Sequence, residues 1–138
     1  MTELGLRTPV LLVDDDEGVR RMLHAVLHAV MRGGDLEVTA VTTGTEALAH
    51  LTERPAGAVL LDLDLPDGRS TDLLRWLHEN EERPPWLVIS AMDRRDALRL
   101  DESIGKGLLA KPFDHWALVD SVRAMTQVAQ DASSGGGW

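Results

Sequence analysis

The chain contains no cysteine and no tyrosine, a single phenylalanine and four tryptophans. Without cysteine, disulfides and thiolate metal sites are excluded. No apolar run approaches the length that spans a bilayer, and residues 1–9 lack the basic flank and apolar stretch of a secretory leader. A membrane location is therefore not expected, and a cytoplasmic one is. Positive charge is also scarce: 14 Lys and Arg stand against 23 Asp and Glu, a formal net charge of −9. Such a chain has no general attraction for a phosphate backbone, so direct nucleic-acid binding is not expected.

What remains is the composition of one folded domain. The 138 residues are 43% hydrophobic and 27% charged, enough for one continuous core without staples and too few for a second. Short apolar runs closed by acidic or hydroxyl residues alternate five times with longer segments of helical spacing. Residues 10–13 are apolar and run into Asp14, Asp15 and Asp16. Val19, Met22, Leu23, Val26, Leu27 and Val30 then mark one helix face, stopped by Gly33 and Gly34. Residues 37–41 read as an exposed strand, and Thr43 with Glu46 forms a capping box ahead of Ala47, Leu48 and Leu51. Residues 58–61 are nearly all apolar, as in a strand covered on both faces, and Leu73, Leu74 and Leu77 supply the next helix. Strands at 87–89 and 108–110 are followed by helices at about 93–102 and 112–128. This alternation predicts a parallel sheet with helices on both faces, a three-layer α/β/α sandwich. The last residues, 131–138, read D-A-S-S-G-G-G-W, a flexible tail or the start of a linker after a domain at 1–130.

In open α/β sheets the functional crevice lies outside the carboxyl ends of the strands. The first strand ends in Asp14 and Asp15, the third in Asp62, the fourth in Ser90, and the fifth runs into Lys111. An aspartate after a strand ordinarily serves as a turn or a helix cap, and a lone serine or lysine there is ordinarily surface. Five such residues expected on one rim are a stronger signal. Three carboxylates brought together repel unless a cation compensates, and an all-oxygen site suits Mg²⁺. Asp62 closes the most apolar strand and precedes a Pro66, Asp67, Gly68 turn expected to leave it facing solvent, which makes it the candidate nucleophile toward a phosphoryl group. Lys111 and the metal would neutralise the transferring oxygens, and Ser90 would donate a hydrogen bond to one of them.

These motifs resemble the receiver domain of two-component response regulators over about residues 9–128. V-D-D-D at 13–16 is similar to that family's acidic pair, L-L-D-L-D-L-P-D-G at 60–68 to its phosphoacceptor segment, I-S-A at 89–91 to its switch hydroxyl, and L-L-A-K-P-F at 108–113 to its lysine and proline. The resemblance implies a flavodoxin-like sheet of order 2-1-3-4-5, with Mg²⁺ held by Asp14, Asp15, Asp62 and the backbone carbonyl of Asp64. It implies transfer of a phosphoryl group to Asp62 from a histidine kinase or histidine phosphotransfer protein. Lys111 would pair with a phosphoryl oxygen, Ser90 would move toward it, and the Lys111-Pro112 bond would be cis. The output would be a downstream protein target or an effector domain beyond this chain, and the only chemistry would be the receiver's own phosphorylation and dephosphorylation.

Several positions depart from the pattern. Leu108 stands where the family usually carries an aromatic ring that responds to the switch hydroxyl. Asp64 and Met92 occupy positions that tune loss of the phosphoryl group. Arg94, Arg95 and Arg99 on the fourth helix, with Asp114 and Asp120 on the fifth, would allow a weak charge-paired homodimer, or form a solvated face. Trp76, Trp86 and Trp116 read as packing or partner-contact residues, and His24 and His28 as a weak metal hint. Two other functions are weighed: a receiver-like interaction module that acts without phosphorylation, and a haloacid-dehalogenase-like phosphatase suggested by D-L-D at 62–64. Pro66, four after the nucleophile, and the strand-helix-strand-helix unit that precedes it speak against the phosphatase.

Overall fold

The computed structural model describes residues 7–30, 35–80, 83–91, 93–100 and 108–134. Five strands and five helices alternate: β1 (Arg7–Val13), α1 (Glu17–Val30), β2 (Asp35–Val41), α2 (Gly44–Glu53), β3 (Ala58–Asp62), α3 (Ser70–Glu79), β4 (Trp86–Ser90), α4 (Arg94–Leu100), β5 (Leu108–Ala110) and α5 (His115–Ser134). The strands form one parallel sheet in the order β2-β1-β3-β4-β5. The expected sandwich and strand order are both present.

Alternation along the strands decides the layers, because successive side chains point to opposite faces. Val10 and Leu12 of β1, Ala58 and Leu60 of β3 and Leu87 and Ile89 of β4 meet Leu23, Val26 and Leu27 of α1 and Leu118, Val122 and Met125 of α5. Leu11 and Val13, Val59 and Leu61, and Val88 point the other way, onto Ala47 and Leu51 of α2, Leu73, Leu74 and Leu77 of α3 and Ala97 of α4. β3 is therefore buried at all five positions. β2 lies at the sheet edge, and its described side chains are half-buried or exposed, as its mixed sequence predicts.

The differences from the sequence reading are local. Met22, placed on the buried face of α1, is 38% exposed at the margin of the apolar stripe. The capping box is present in altered form. Thr43 Oγ1 accepts from the Glu46 N–H at 3.1 Å, but Glu46 Oε1 reaches the N–H of Thr42 at 3.3 Å, one residue before the cap. α5 begins at His115 rather than near 112, because Asp114 caps it, its Oδ1 accepting from the Ala117 N–H at 2.7 Å. Among the described residues it continues to Ser134, four residues into the segment read as tail or linker. Gly33, Gly34, Met92 and Glu102 lie outside the described residues.

Candidate functional site

The sheet order reverses between β1 and β3, and the two strands end side by side: Val13 pairs with Leu61, so Asp14 and Asp62 follow on adjacent strands. One pair further, Asp62 aligns with Ile89 of β4, which brings Ser90 to the same rim, and Ser90 aligns with Ala110 of β5, immediately before Lys111. The rungs continue past the strands, with the Asp14 N–H donating to Val41 O at 3.1 Å and the Lys111 N–H to Ser90 O at 2.7 Å. Parallel pairing thus gathers residues separated by nearly the whole chain.

Lys111 Nζ stands between two carboxylates, donating to Asp62 Oδ2 at 3.0 Å and to Asp14 Oδ2 at 3.2 Å. Both aspartates are almost fully enclosed, Asp14 1% and Asp62 3% exposed. Their remaining oxygens are also engaged: Asp14 Oδ1 accepts from the Asp16 N–H and Asp62 Oδ1 from the Asp64 N–H, each at 2.9 Å. Asp62 therefore does not face solvent as expected from the turn after it. The turn is there, with the Gly68 N–H donating to Leu65 O at 3.0 Å and Gly68 at φ 67°, but Lys111 and the Asp64 backbone cover the carboxylate.

Burial pushes the Asp14 carboxyl above its ordinary range, against the Asp16 N–H, which pulls it down; the Asp62 charge adds to the rise and Lys111 offsets part of it. Burial also lowers Lys111, but the hydrogen bond and charge of Asp62, followed by those of Asp14, outweigh it and leave the ammonium above its ordinary value. Asp15 is exposed at the rim, and one carboxylate oxygen from each of Asp14, Asp15 and Asp62 lies within 4.8 Å of the others. Three carboxylates against one ammonium leave an excess of negative charge in an all-oxygen donor set, which fits a hard divalent cation such as Mg²⁺.

Ser90 is fully buried, and its hydroxyl donates to Asp64 Oδ2 at 3.3 Å. All six residues named from the sequence thus lie in one cluster. Two contributors were missed. Arg20 of α1 donates from Nη1 to the Asp14 carbonyl at 2.8 Å, holding the end of β1 from behind. Asp67 joins the loop after β3 to the start of α2 through Gly44 and Thr45.

A family model, the response regulator receiver domain, matches residues 10–123. Among curated relatives, the DNA-binding response regulator MtrA of Mycobacterium tuberculosis is 34% identical over 119 residues, covering 86% of this chain and 50% of MtrA. The transcriptional regulatory protein GltR of Pseudomonas aeruginosa is 30% identical over 131 residues, covering 93% of this chain and 52% of GltR. This chain belongs to the response regulator receiver family. The fold agrees: the chemotaxis response regulator CheY4 of Vibrio cholerae superposes with a TM-score of 0.71 at 21% identity, over 87% of this chain and 99% of that one. The phosphorylated cyanobacterial phytochrome response regulator RcpA superposes with a TM-score of 0.74 at 20% identity, over 92% and 96%. The receiver spans about half the length of the curated relatives it matches. It is a signalling domain of two-component systems, and the phosphatase reading is not retained.

Other family expectations can be placed in the receiver. The Lys111-Pro112 peptide is cis. Leu108 is half-buried, opposite Val88, and packs against the α2, α3 and α4 face. Trp76 and Trp86 are half-buried against that same face, whereas Trp116 is 73% exposed. Arg99 pairs with Asp96 of its own helix at 3.6 Å and Asp114 caps α5, so two of the charges considered for a homodimer are engaged within the chain. His24 and His28 lie with ring centroids 4.5 Å apart and planes tilted by 44°, with no third metal-ligating side chain grouped with them among the described residues. No described helix is long and apolar enough to cross a membrane.

Proposed function

We propose that Asp62 is the phosphoacceptor. The observation that carries this reading is the enclosed Asp62 carboxylate, held by Lys111 Nζ on one oxygen and by the Asp64 N–H on the other, beside Asp14 and Asp15. Asp62 attacks the phosphorus of a phosphohistidine on a histidine kinase or phosphotransfer protein. The bond from phosphorus to the imidazole nitrogen breaks, its electron pair leaves with the imidazole, and an aspartyl phosphate remains. Lys111 follows the charge from the carboxylate to a phosphoryl oxygen. Mg²⁺, when bound, supplies charge neutralisation at the transferring oxygens; the Asp14, Asp15 and Asp62 carboxylates and the Asp64 carbonyl would hold it. Water returns the site to its starting state by attack on phosphorus, so the chemistry is confined to the receiver's own acceptor and extends to no separate substrate.

Ser90 gives the signal its first movement. Its hydroxyl turns from Asp64 Oδ2 toward a phosphoryl oxygen, which favours the active member of a pre-existing pair of states. With Leu108 in place of a ring, the change passes to the α4 and β5 surface through aliphatic packing. The output is an effector segment in the same polypeptide or a separate protein target; the relatives' DNA-binding and transcriptional roles favour gene control. Direct nucleic-acid contact by this acidic domain is not part of the proposal, and cytoplasmic placement beside the kinase is.

Incubation with acetyl phosphate and Mg²⁺, followed by intact-mass measurement, tests the reading. One phosphoryl group per chain is expected in the wild type and none in Asp62→Asn; equal labelling of both proteins would refute it.

A further inference from the structure

The loop that follows the acceptor is fastened at its far end to a different helix. Asp67 Oδ1 accepts from the Gly44 N–H at 3.0 Å, and Oδ2 accepts from the Thr45 N–H at 2.9 Å and the Thr45 hydroxyl at 2.8 Å. Arg69, two residues on, donates from Nη1 to the same hydroxyl at 3.2 Å and from Nε to Asp72 at 3.0 Å. The N–H groups in the first turn of a helix have no acceptor within it, which is why a carboxylate from outside finds them free. Loop and helix approach backbone to backbone. A Cβ on Gly44 would lie 2.7 Å from Arg69 Cβ and 3.0 Å from the Arg69 carbonyl carbon.

Thr43 caps α2 at the Glu46 N–H, and Asp67 adds acceptors for the Gly44 and Thr45 N–H groups, so the cap is shared between a local residue and the loop. The near end of the same loop is the phosphoryl site: the Asp64 N–H holds Asp62 Oδ1 at 2.9 Å, and Asp64 Oδ2 receives the Ser90 hydroxyl at 3.3 Å. Only Leu65 and Pro66 separate the two ends. Leu65 is 6% exposed in the core beneath, and the Pro66 ring fixes its φ, which limits the freedom of the connection.

We infer that Asp67 is a positioning residue for phosphoryl transfer: its staple to Gly44 and Thr45 holds the Asp64 backbone against Asp62. This rests on the reading of Asp62 as acceptor. Desolvation raises the Asp67 carboxyl, but the hydrogen bonds from Thr45, Gly44 and the Arg69 N–H together outweigh it and keep the group at about 2, so the staple stays charged wherever the acceptor works.

Amide hydrogen exchange on the metal-free protein separates positioning from capping. In Asp67→Ala, exchange at the Asp64 N–H is expected to rise about tenfold, with a smaller rise in Thr45→Val, while Leu60, Leu61 and Val88 keep wild-type protection. Acetyl phosphate labelling should slow by about three- to tenfold and need proportionally more Mg²⁺ for half-maximal rate, with the same final stoichiometry. Asp67→Asn, which keeps one acceptor oxygen, should lie between. Faster exchange at Gly44 and Thr45 alone, with Asp64 unchanged, overturns the inference. Should Asp67→Ala loosen the core amides, Thr45→Val at an exposed hydroxyl decides by the same Asp64 signal. A wild type that never labels removes the acceptor reading and this inference together; a labelled wild type with an unaltered Asp64 amide in both variants removes this inference alone.

Discussion

Asp14 loses almost all of its exposure, Asp15 keeps its carboxylate at the surface, and Asp16 turns back to cap α1 by accepting from the Val19 N–H at 3.0 Å. Identical side chains in sequence thus have different energetics. Enclosing Asp14 beside Asp62 costs more than Lys111 returns, which is why burial pushes its carboxyl upward. Replacing Asp14 by Asn should therefore stabilise the metal-free protein by about 1 kcal/mol in urea denaturation while raising the Mg²⁺ concentration needed for half-maximal labelling. Lys111→Met removes the ammonium that stands between two buried carboxylates. Its labelling by acetyl phosphate should fall about 100-fold, the scale of losing a preorganised donor to a developing anion. Asp67 makes a pH prediction. Its carboxyl lies at about 2 against an ordinary 3.8, so its contribution is complete above 3.8 and is lost as pH falls through 2. The stability gap between wild type and Asp67→Ala should be flat above that window and close within it, as followed by thermal melting across pH. Asp62, Ser90 and Lys111 were legible because each closes a strand. Arg20 and Asp67 were not, since their partners, a carbonyl and the first turn of another helix, leave no mark on the local pattern.

At the scale of elements, period-two burial in the strands and the spaced apolar stripes of the helices decide the packing. Leu118 of α5 is fully buried in the core layer that α1 and α5 form on the sheet, so Leu118→Ala should cost about 2–5 kcal/mol with an unchanged dependence on urea concentration. Gly44→Ala tests the junction of α2 with the loop after β3. A methyl group 2.7 Å from Arg69 Cβ forces the backbones apart, and a loss of about 1–3 kcal/mol is expected although alanine is the better helix former. Element identity was legible throughout, because these patterns span several turns or residue pairs. Boundaries were less so. The start of α5 depends on a cap by Asp114, and the extension of β1 back to Arg7 on pairing with Asp35 of β2, a partner 28 residues away in the chain.

For the whole molecule, the strand order places the reversal between β1 and β3, and the site forms where the two carboxyl ends diverge. That order came from family resemblance and not from periodicity, since apolar runs alone do not rank strands. The net charge of −9 gives the molecule an acidic field, while Lys111 gives the acidic rim a local positive point. The most direct test of the account is to phosphorylate the protein with acetyl phosphate and Mg²⁺, trap the acyl phosphate by borohydride reduction and map the modified residue by peptide mass spectrometry. Reduction converts an aspartyl phosphate to homoserine, and homoserine is expected at position 62 alone. Homoserine at Asp14, Asp15 or Asp64, or at no position in protein that remains folded, would contradict it.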